Sequence, residues 1–390
     1  MATTGFKIQV KNTVLGENPQ VNANSMLVVV GAVEEGTFSL NTPELLRSLD
    51  DLEALGVTEG NNADLIKQVG DFFSPTPNLN NNGTILWLVG TAASANVKTN
   101  LVDWVRSTVV NGFEFRPRQI LISDDGENPD NDVKPEDVQA AITELYAEGF
   151  STVAIIGAVA QRISGDISQA TVYNGLEDMS DLAANMVGYC IVTDVAGDRA
   201  IVGKLGGWLA SLSVGTSVGD VSLGSFAQSL YFCDASDTPC AKISLACAEA
   251  LGAKQYLFCR TRPPQNGLYW NDGATCGDPT TALSTLEAGR TIASMVDDLR
   301  SYFTPYLNSK VPVNSKGDIE STYKQVVLDG VYAQVIQRYK DSGDISDARV
   351  ELVALNNDMV GTRTWEVTLA ILPAPTLRWI EGYVFYVKSL

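Results

Sequence analysis

A short glycine-rich stretch has the spacing of a catalytic serine motif. Gly215-Thr-Ser-Val-Gly219 matches the Gly-x-Ser-x-Gly pattern, in which the serine is a nucleophile activated by a histidine base. This 390-residue sequence contains no histidine, so that base is missing, together with the commonest general acid–base residue and metal ligand. We therefore interpret the stretch as a glycine-punctuated loop after a helix.

Two other stretches resemble ligand-binding loops. Gly197 to Leu205 looks like a phosphate loop, but five residues separate its glycines instead of four, and Leu205 replaces the magnesium-binding Ser or Thr. Its Lys204 is expected to be the solvated end of a helix residue. The acidic run Asp124 to Asp132 lacks the ligand spacing of a calcium-binding EF-hand, which favours a solvated turn. Neither stretch predicts a cofactor.

The six cysteines do not form a recognisable metal-binding pattern. They contain no Cys-x-x-Cys pair, and no histidine is available to complete a mixed zinc site. We expect reduced and mostly buried thiols, without a bound metal. The cysteines are Cys190, Cys233, Cys240, Cys247, Cys259 and Cys276.

The charge balance restricts the partners. The sequence has 46 acidic and 27 basic residues, a formal net charge of −19, which argues against nucleic-acid binding. No stretch approaches the roughly 20 apolar residues that cross a bilayer, and the first residues lack the order of a signal peptide. We expect a protein made and kept in a cytoplasm, without membrane contact.

The elements that must carry these residues alternate between strand and helix from about residue 25 to 260. Continuous β-branched runs such as Met26–Ala32 read as buried strands, and periodic apolar patterns between them read as helices. One predicted helix opens at Thr42 and Pro43, and another covers 176–187. This alternation predicts an α/β domain over 25–260 with a doubly wound, mostly parallel sheet.

The sequence beyond residue 261 predicts an α+β domain, assigned to 261–376. A long helix over about 281–303 and a second over about 319–339 precede strand-like runs at 348–355 and 364–372. The double proline with Asn-Gly at 263–267 marks the break from the α/β pattern. On the long helix, Glu287, Arg290, Asp297 and Asp298 are expected on the polar, solvent-facing side.

Both ends of the sequence read as apolar strands. Residues 1–24 form a predicted N-terminal arm and linker, and 377–390 a predicted C-terminal arm. An apolar strand at a free end either completes its own sheet or adds to a neighbour's. The residues expected to make these strand contacts are Phe6, Ile8, Val10, Trp379, Tyr383, Phe385 and Val387.

Three segments, in this order before a β-rich C-terminus, resemble the contractile tail sheath proteins of phages and related bacterial injection systems. They are Ile201 to Gly219, Asn266 to Gly273 with its Gly-Leu-Tyr-Trp-Asn-Asp-Gly core, and the Arg290-containing helix Leu286 to Arg300. The resemblance covers about residues 190–390 by motif, and the N-terminal half by architecture.

The resemblance implies a structural subunit and no enzymatic activity. It implies a helical homo-oligomer of stacked hexameric rings around an inner tail tube protein, with baseplate and tail terminator proteins as further partners. The arms would donate strands to neighbouring subunits, and a helix of the C-terminal domain, with Glu287, Arg290, Asp297 and Asp298 as candidates, would face the tube. Such particles are assembled in the bacterial cytoplasm.

A second interpretation remains open at this stage. A cytoplasmic α/β enzyme or nucleotide-binding protein would use the carboxyl-terminal edge of the same parallel sheet. It predicts a ligand crevice at that edge, whereas a sheath subunit predicts polymerisation.

Overall fold

The computed structural model describes residues 24–74, 84–109, 116–126 and 133–375. Contacts divide the chain into two units, Met1–Val311 and Pro312–Leu390. The six cysteines lie in the first unit, where all are buried and none forms a disulfide. None of the helices in the described ranges is long and apolar enough to span a membrane.

A seven-stranded sheet is the centre of the first unit, and two short strand pairs flank it. The strands are β1 Ser25–Val30, β2 Glu44–Leu46, β3 Leu86–Thr91, β4 Gln119–Ser123, β5 Val153–Gly157, β6 Val187–Cys190, β7 Val192–Thr193, β8 Tyr231–Phe232, β9 Tyr256–Leu257, β10 Cys259–Thr261 and β11 Leu268–Trp270. The sheet order is β2-β3-β1-β4-β5-β6-β9. All neighbours are parallel except β2, which runs antiparallel to β3. The predicted mostly parallel sheet is therefore confirmed.

Eight helices accompany these strands in the described part of the first unit. They are α1 Leu49–Ala54, α2 Glu59–Phe73, α3 Ala95–Thr108, α4 Pro135–Glu148, α5 Ala170–Gly175, α6 Val202–Ala210, α7 Leu245–Ala253 and α8 Leu286–Phe303. Helix α2 packs on α6, and α3 packs on α4. Strands β1, β3, β4 and β5 are buried along their whole length, as expected for a sheet covered on both faces.

The contact between α2 and α6 explains two of the glycines of the Ile201 to Gly219 segment. A Cβ atom on Gly203 would lie 2.0 Å from the carbonyl oxygen of Gln68, and one on Gly207 would lie 2.2 Å from that of Phe72. The Gln68 side chain bonds α6 directly, because its Oε1 accepts from the Gly203 N–H at 2.8 Å. Glycine is therefore needed here for close approach of two helix backbones.

The unit boundary lies about 50 residues after the break predicted at 261. The reason is α8, which packs on the sheet of the first unit. A Cβ atom on Gly289 would be 3.0 Å from the Val153 side chain, and Arg300 donates to the Ser151 hydroxyl at 2.7 Å. The predicted 261–376 domain is thus divided between two units at Val311 and Pro312.

Two predicted helices are wrong. The chain at Thr42 and Pro43 does not begin a helix, because Glu44–Leu46 pairs with the edge of β3 and the first helix begins after the Ser48 cap. The range 176–187 holds only a short 3₁₀ turn, Met179–Leu182, before β6 begins at Val187. At Glu44–Leu46, pairing with the sheet overrides the local helical pattern.

In its described residues, the second unit contains an interrupted helix, a hairpin and the short helix that joins the two strands of the hairpin. Its helix consists of α9 Ser321–Val331, a π-helical turn Tyr332–Ile336 and α10 Gln337–Asp341, close to the predicted 319–339. Strands β12 Ile345–Ala354 and β13 Trp365–Pro373 follow, joined through the short helix α11 Met359–Thr362. The buried residues of this unit include Ile319, Val327, Val331, Val335, Ile336, Tyr339, Ile345, Leu352 and Ala354.

Candidate functional site

The hairpin of β12 and β13 is a two-stranded antiparallel sheet with one apolar and one polar face. The register pairs Leu352 with Val367 and Glu351 with Thr368. Because successive residues of a strand point to opposite faces, this register collects the apolar side chains on one side. The apolar face consists of Ala348, Val350, Leu352, Ala354, Trp365, Val367, Leu369 and Ile371. The polar face consists of Asp347, Arg349, Glu351, Val353, Glu366, Thr368, Ala370 and Leu372.

The helix of the second unit covers the apolar face only in part. It packs on β12, where Leu352 and Ala354 are buried. On β13, Val367 is 36% exposed, and the remaining apolar positions are only partly buried. Tyr323 of α9 reaches Trp365 with a ring-centroid distance of 6.3 Å. The described residues therefore leave much of an apolar sheet face uncovered.

The edges of this sheet are also unpaired within the described residues, since no third strand is bonded to β12 or β13 there. The N–H of Leu355 donates to the carbonyl of Thr364 at 3.0 Å, so these two residues form a hydrogen-bonded pair. Along an antiparallel ladder, hydrogen-bonded pairs alternate with pairs whose N–H and C=O groups point away from the partner strand. The N–H and C=O groups of Val367 and Leu369 consequently point to the open edge of β13.

Charged groups fix the start of β12. The Lys340 ammonium contacts the Asp347 carboxylate at 2.9 Å and the Tyr332 hydroxyl at 3.1 Å. The hydrogen bond from Lys340 lowers the pKa of Asp347, and the same bond raises the pKa of Lys340. Both groups are exposed, so the pair orients the strand more than it stabilises the fold.

The predicted arm residues lie outside the described ranges. They are Phe6, Ile8, Val10, Trp379, Tyr383, Phe385 and Val387. The β12–β13 hairpin has an open edge within the described residues. Donation of the arms stays a prediction.

The charged residues of α8 were expected on a solvent-facing side, and for three of them this is wrong. Glu287, Arg290 and Asp297 are at most 7% exposed, and only Asp298 is partly exposed. Arg290 donates to the carbonyls of Leu209 and Leu212, at 2.8 and 2.9 Å. These carbonyls lie at the end of α6, so a buried cation completes its last turn.

Asp297 is held between two arginines. It pairs with Arg116, and its carboxylate lies 3.7 Å from the guanidinium of Arg300. Burial raises the pKa of Asp297, and the positive charges of Arg116 and Arg118 oppose that rise. These contacts hold α8 at the amino-terminal edge of the sheet. Because Asp297 is buried, it is not available for contact with another protein.

The carboxyl-terminal edge of the sheet, where an α/β enzyme would bind its ligand, is filled by the chain's own side chains. Arg199 donates to the Val30 carbonyl at 2.8 Å and pairs with Asp64. Asn62 bonds both the N–H and the C=O of Val33. Two cavities lie at this edge among the described residues, one beside β1 with a volume of about 180 Å³ and one beside β5 with a volume of about 130 Å³. Both volumes are below the range of roughly 300–1,000 Å³ typical of ligand pockets.

The motifs that resemble catalytic or ligand loops have structural roles. Lys204 is not solvated as expected, because it is 9% exposed and bonds Asp194 at 2.7 Å and Asp71 at 3.2 Å. Gly219 packs against the Asn271 carbonyl, where a Cβ atom would lie 2.8 Å away. In the acidic loop, Asp124 accepts a bond from the Val133 N–H at 3.3 Å, and residues 127–132 lie outside the described ranges. No group of residues suited to a metal ion occurs in the described ranges.

The fold is similar to that of solved sheath proteins from contractile injection systems. The sheath of the anti-feeding prophage in its contracted state is 8% identical, covers 100% of both chains and has a TM-score of 0.61. The sheath of the extracellular injection system PVC, also contracted, is 11% identical with 98% of both chains covered and a TM-score of 0.59. The sheath tail protein of Listeria innocua is 10% identical, with 91% of this chain and 93% of that chain covered and a TM-score of 0.52.

These likenesses establish a shared fold, as the sequence resemblance implied. The chain belongs to the DUF2586 family, whose model for the N-terminal domain matches residues 4–274. None of the curated proteins matches the sequence.

Proposed function

We propose that this chain is a structural subunit of a contractile sheath, and that its β12–β13 sheet accepts strands from neighbouring subunits. The observation that carries the proposal is the half-covered apolar face with an open edge on β13. A two-stranded hairpin is marginally stable in water unless it packs against a helix or further strands, and here the helix of the second unit packs on β12. A strand from a neighbour would complete the sheet and cover Val367, Leu369 and Ile371.

The donated strands in this proposal are the N-terminal arm, 1–24, and the C-terminal arm, 377–390. Residues 6–10 alternate apolar and polar side chains, and Trp379, Tyr383, Phe385 and Val387 are large apolar groups suited to the apolar face. Main-chain hydrogen bonds supply the strength of strand addition, and the alternate side chains supply its specificity.

Partners and action follow from the same proposal. The subunits would form stacked hexameric rings around an inner tube protein, and baseplate and terminator proteins would close the ends. Contraction would release energy stored in an extended, metastable arrangement, while the donated strands keep neighbours linked. The particle would be assembled in the bacterial cytoplasm.

The proposed function includes no catalytic activity. The sequence has no histidine, the Gly-x-Ser-x-Gly stretch has no base, and the two cavities described at the carboxyl-terminal edge of the sheet are small for a nucleotide. The interpretation as an α/β enzyme or nucleotide-binding protein is therefore disfavoured. The energy of contraction would come from the subunit interfaces.

The test is assembly of the purified full-length chain, followed by negative-stain microscopy and pelleting. We expect hollow tubes or rings for the full chain, and none for variants that lack residues 1–15 or 379–390, although their circular dichroism stays native. A synthetic peptide of residues 377–390 should inhibit assembly of the full chain, whereas a scrambled peptide should not. A full-length chain that remains monomeric across salt and protein concentration contradicts the proposal.

A further inference from the structure

The chain leaves β13 through two prolines. Strand β13 ends at Pro373, and Ala374 and Pro375 follow it as the last residues that the structure describes. Both prolines are exposed, and the Ser346 hydroxyl donates to the Pro373 carbonyl at 3.2 Å. The predicted C-terminal arm begins two residues later, at Leu377. The proposed function gives this arm to a neighbour, although the open edge of its own β13 is nearer along the chain.

The register of the apolar face determines which turn would let the arm pair with its own strand. The rings of Trp379 and Tyr383 would cover that face only opposite apolar positions of β13, such as Ile371 and Val367. The shortest hairpin with this register has the three-residue loop 374–376 and closes on position 373. A loop of two residues would shift the arm by one position and turn both rings to the polar face.

Pro373, Pro375 and Thr376 obstruct the three-residue turn. Its closing pair needs an N–H at position 373, which faces the open edge by the alternation along β13, and a proline has none. Such a loop is a type I turn followed by a residue in the left-handed region. Ala374 would have to be right-handed helical, a conformation that Pro375 disfavours in the residue before it. Thr376 would have to be left-handed, where a β-branched residue is strained.

The prolines also set the direction in which the chain continues. Each proline fixes its own φ at about −65° and favours an extended residue before it, here Leu372 and Ala374. An extended path from Leu372 to Pro375 covers about 9 Å at about 3.1 Å per residue, without the reversal that a hairpin needs. The arm of another copy is not joined to this β13, so none of these restrictions applies to it.

We propose that Pro373, Pro375 and Thr376 prevent the C-terminal arm from pairing with its own β13, and thereby keep this edge open for the arm of a second copy. The inference rests on the proposed function, because it names the source of the strand that the β12–β13 sheet accepts. These three residues determine specificity through the conformation of the main chain, and they contribute no contact to the docked strand.

The test introduces the turn that the wild type lacks. In P373V/P375D/T376G, position 373 has an N–H, Ala374 no longer precedes a proline, and a glycine occupies the left-handed position. Hydrogen exchange at the N–H groups of Val367 and Leu369, measured by mass spectrometry below the concentration required for assembly, reports pairing at the open edge. We expect wild-type exchange to equal that of a chain lacking residues 379–390, and exchange in the triple variant to be at least about tenfold slower.

Two controls show whether the arm and the turn cause the change. Deletion of residues 379–390 from the triple variant should restore wild-type exchange. A374S, which keeps both prolines and Thr376, should exchange like wild type. The concentration required for assembly should rise at least about tenfold in the triple variant and less than about twofold in A374S. If circular dichroism shows that the triple variant does not fold, P375D/T376G, which leaves Pro373 in place, gives the same comparison.

Exchange and assembly together separate this inference from the proposed function. Wild-type chains that form no tubes, but show the expected exchange in all variants, contradict the sheath proposal and support the role of the prolines. Wild-type chains that form tubes, although the arm already slows exchange in the free subunit, support the sheath proposal and overturn the role of the prolines. A folded triple variant that exchanges or assembles like wild type also overturns it, as does an equal change in A374S.

Discussion

A lysine at position 367 should block assembly through the apolar face of the β12–β13 sheet. Val367 lies on β13 opposite Leu352, and its main-chain groups point to the open edge. In V367K, an incoming strand would have to cover an ammonium group instead of a valine. In the free subunit the lysine reaches water along its flexible stem, so the fold is expected to survive.

The size of the effect of V367K on assembly follows from the exposed fraction of the Val367 side chain. Full burial of a valine side chain contributes roughly 1.5–2 kcal/mol, and the 36% that is exposed here accounts for about 0.6 kcal/mol on docking. Desolvation of the lysine adds a cost of about 2 kcal/mol. The sum, about 2–3 kcal/mol per docking event, corresponds to a rise of roughly 30- to 150-fold in the protein concentration required for assembly.

Pelleting over a concentration series, with microscopy of the pellets, measures this shift. The matched control is T368K, because Thr368 is the next residue of the same strand and lies exposed on the polar face. It should assemble within about threefold of wild type. A folded V367K protein that assembles at the wild-type concentration would refute the assignment of this face as the docking site, as would an equal shift in T368K.

Two further predictions concern the first unit. G203A should lower the free energy of unfolding by about 2 kcal/mol or more in urea titrations, because its Cβ would lie 2.0 Å from the Gln68 carbonyl. In the control G175A no atom lies within 4 Å of the new Cβ, and equal losses in both variants would contradict the explanation. Hydrogen bonds from Ser168 and Thr238 lower the pKa of Asp166 from 3.8 to about 2, so its contribution is present above pH 3.8 and is lost as the pH falls towards 2. The difference in the free energy of unfolding between wild type and D166N should therefore decrease over that pH interval. A difference that stays constant would contradict the stabilising role of the Asp166 carboxylate.

Local signals were sufficient for the sheet and the hairpin. Continuous apolar runs predicted β1, β3, β4 and β5, because a strand buried on both faces has that composition whatever its neighbours are. The runs at 348–355 and 364–372 were likewise close to β12 and β13. The half-covered state of their apolar face was not predictable, because it depends on where the helix of the second unit packs.

Charged residues were the main source of error. A helical pattern places Arg290 and Asp297 on a polar side, and it cannot distinguish water from buried partners. The carbonyls that bind Arg290 belong to Leu209 and Leu212, about 80 residues earlier in the chain. Lys204 shows the same limit, since its carboxylate partner Asp71 is far away in sequence. Contacts between residues that are far apart in sequence produce no periodic pattern in the sequence.

The π-helical turn at Tyr332–Ile336 sets the rotational phase of the helix in the second unit. A π turn accommodates one more residue than an α turn, so both Val335 and Ile336 are buried, and Tyr339 is buried three residues later. Loss of one residue in this turn would rotate everything after it by about 100°. Tyr339 would leave the core and Lys340 would lose Asp347. The sheet that is proposed to receive neighbouring subunits is thus set in place by a single additional residue in the preceding helix.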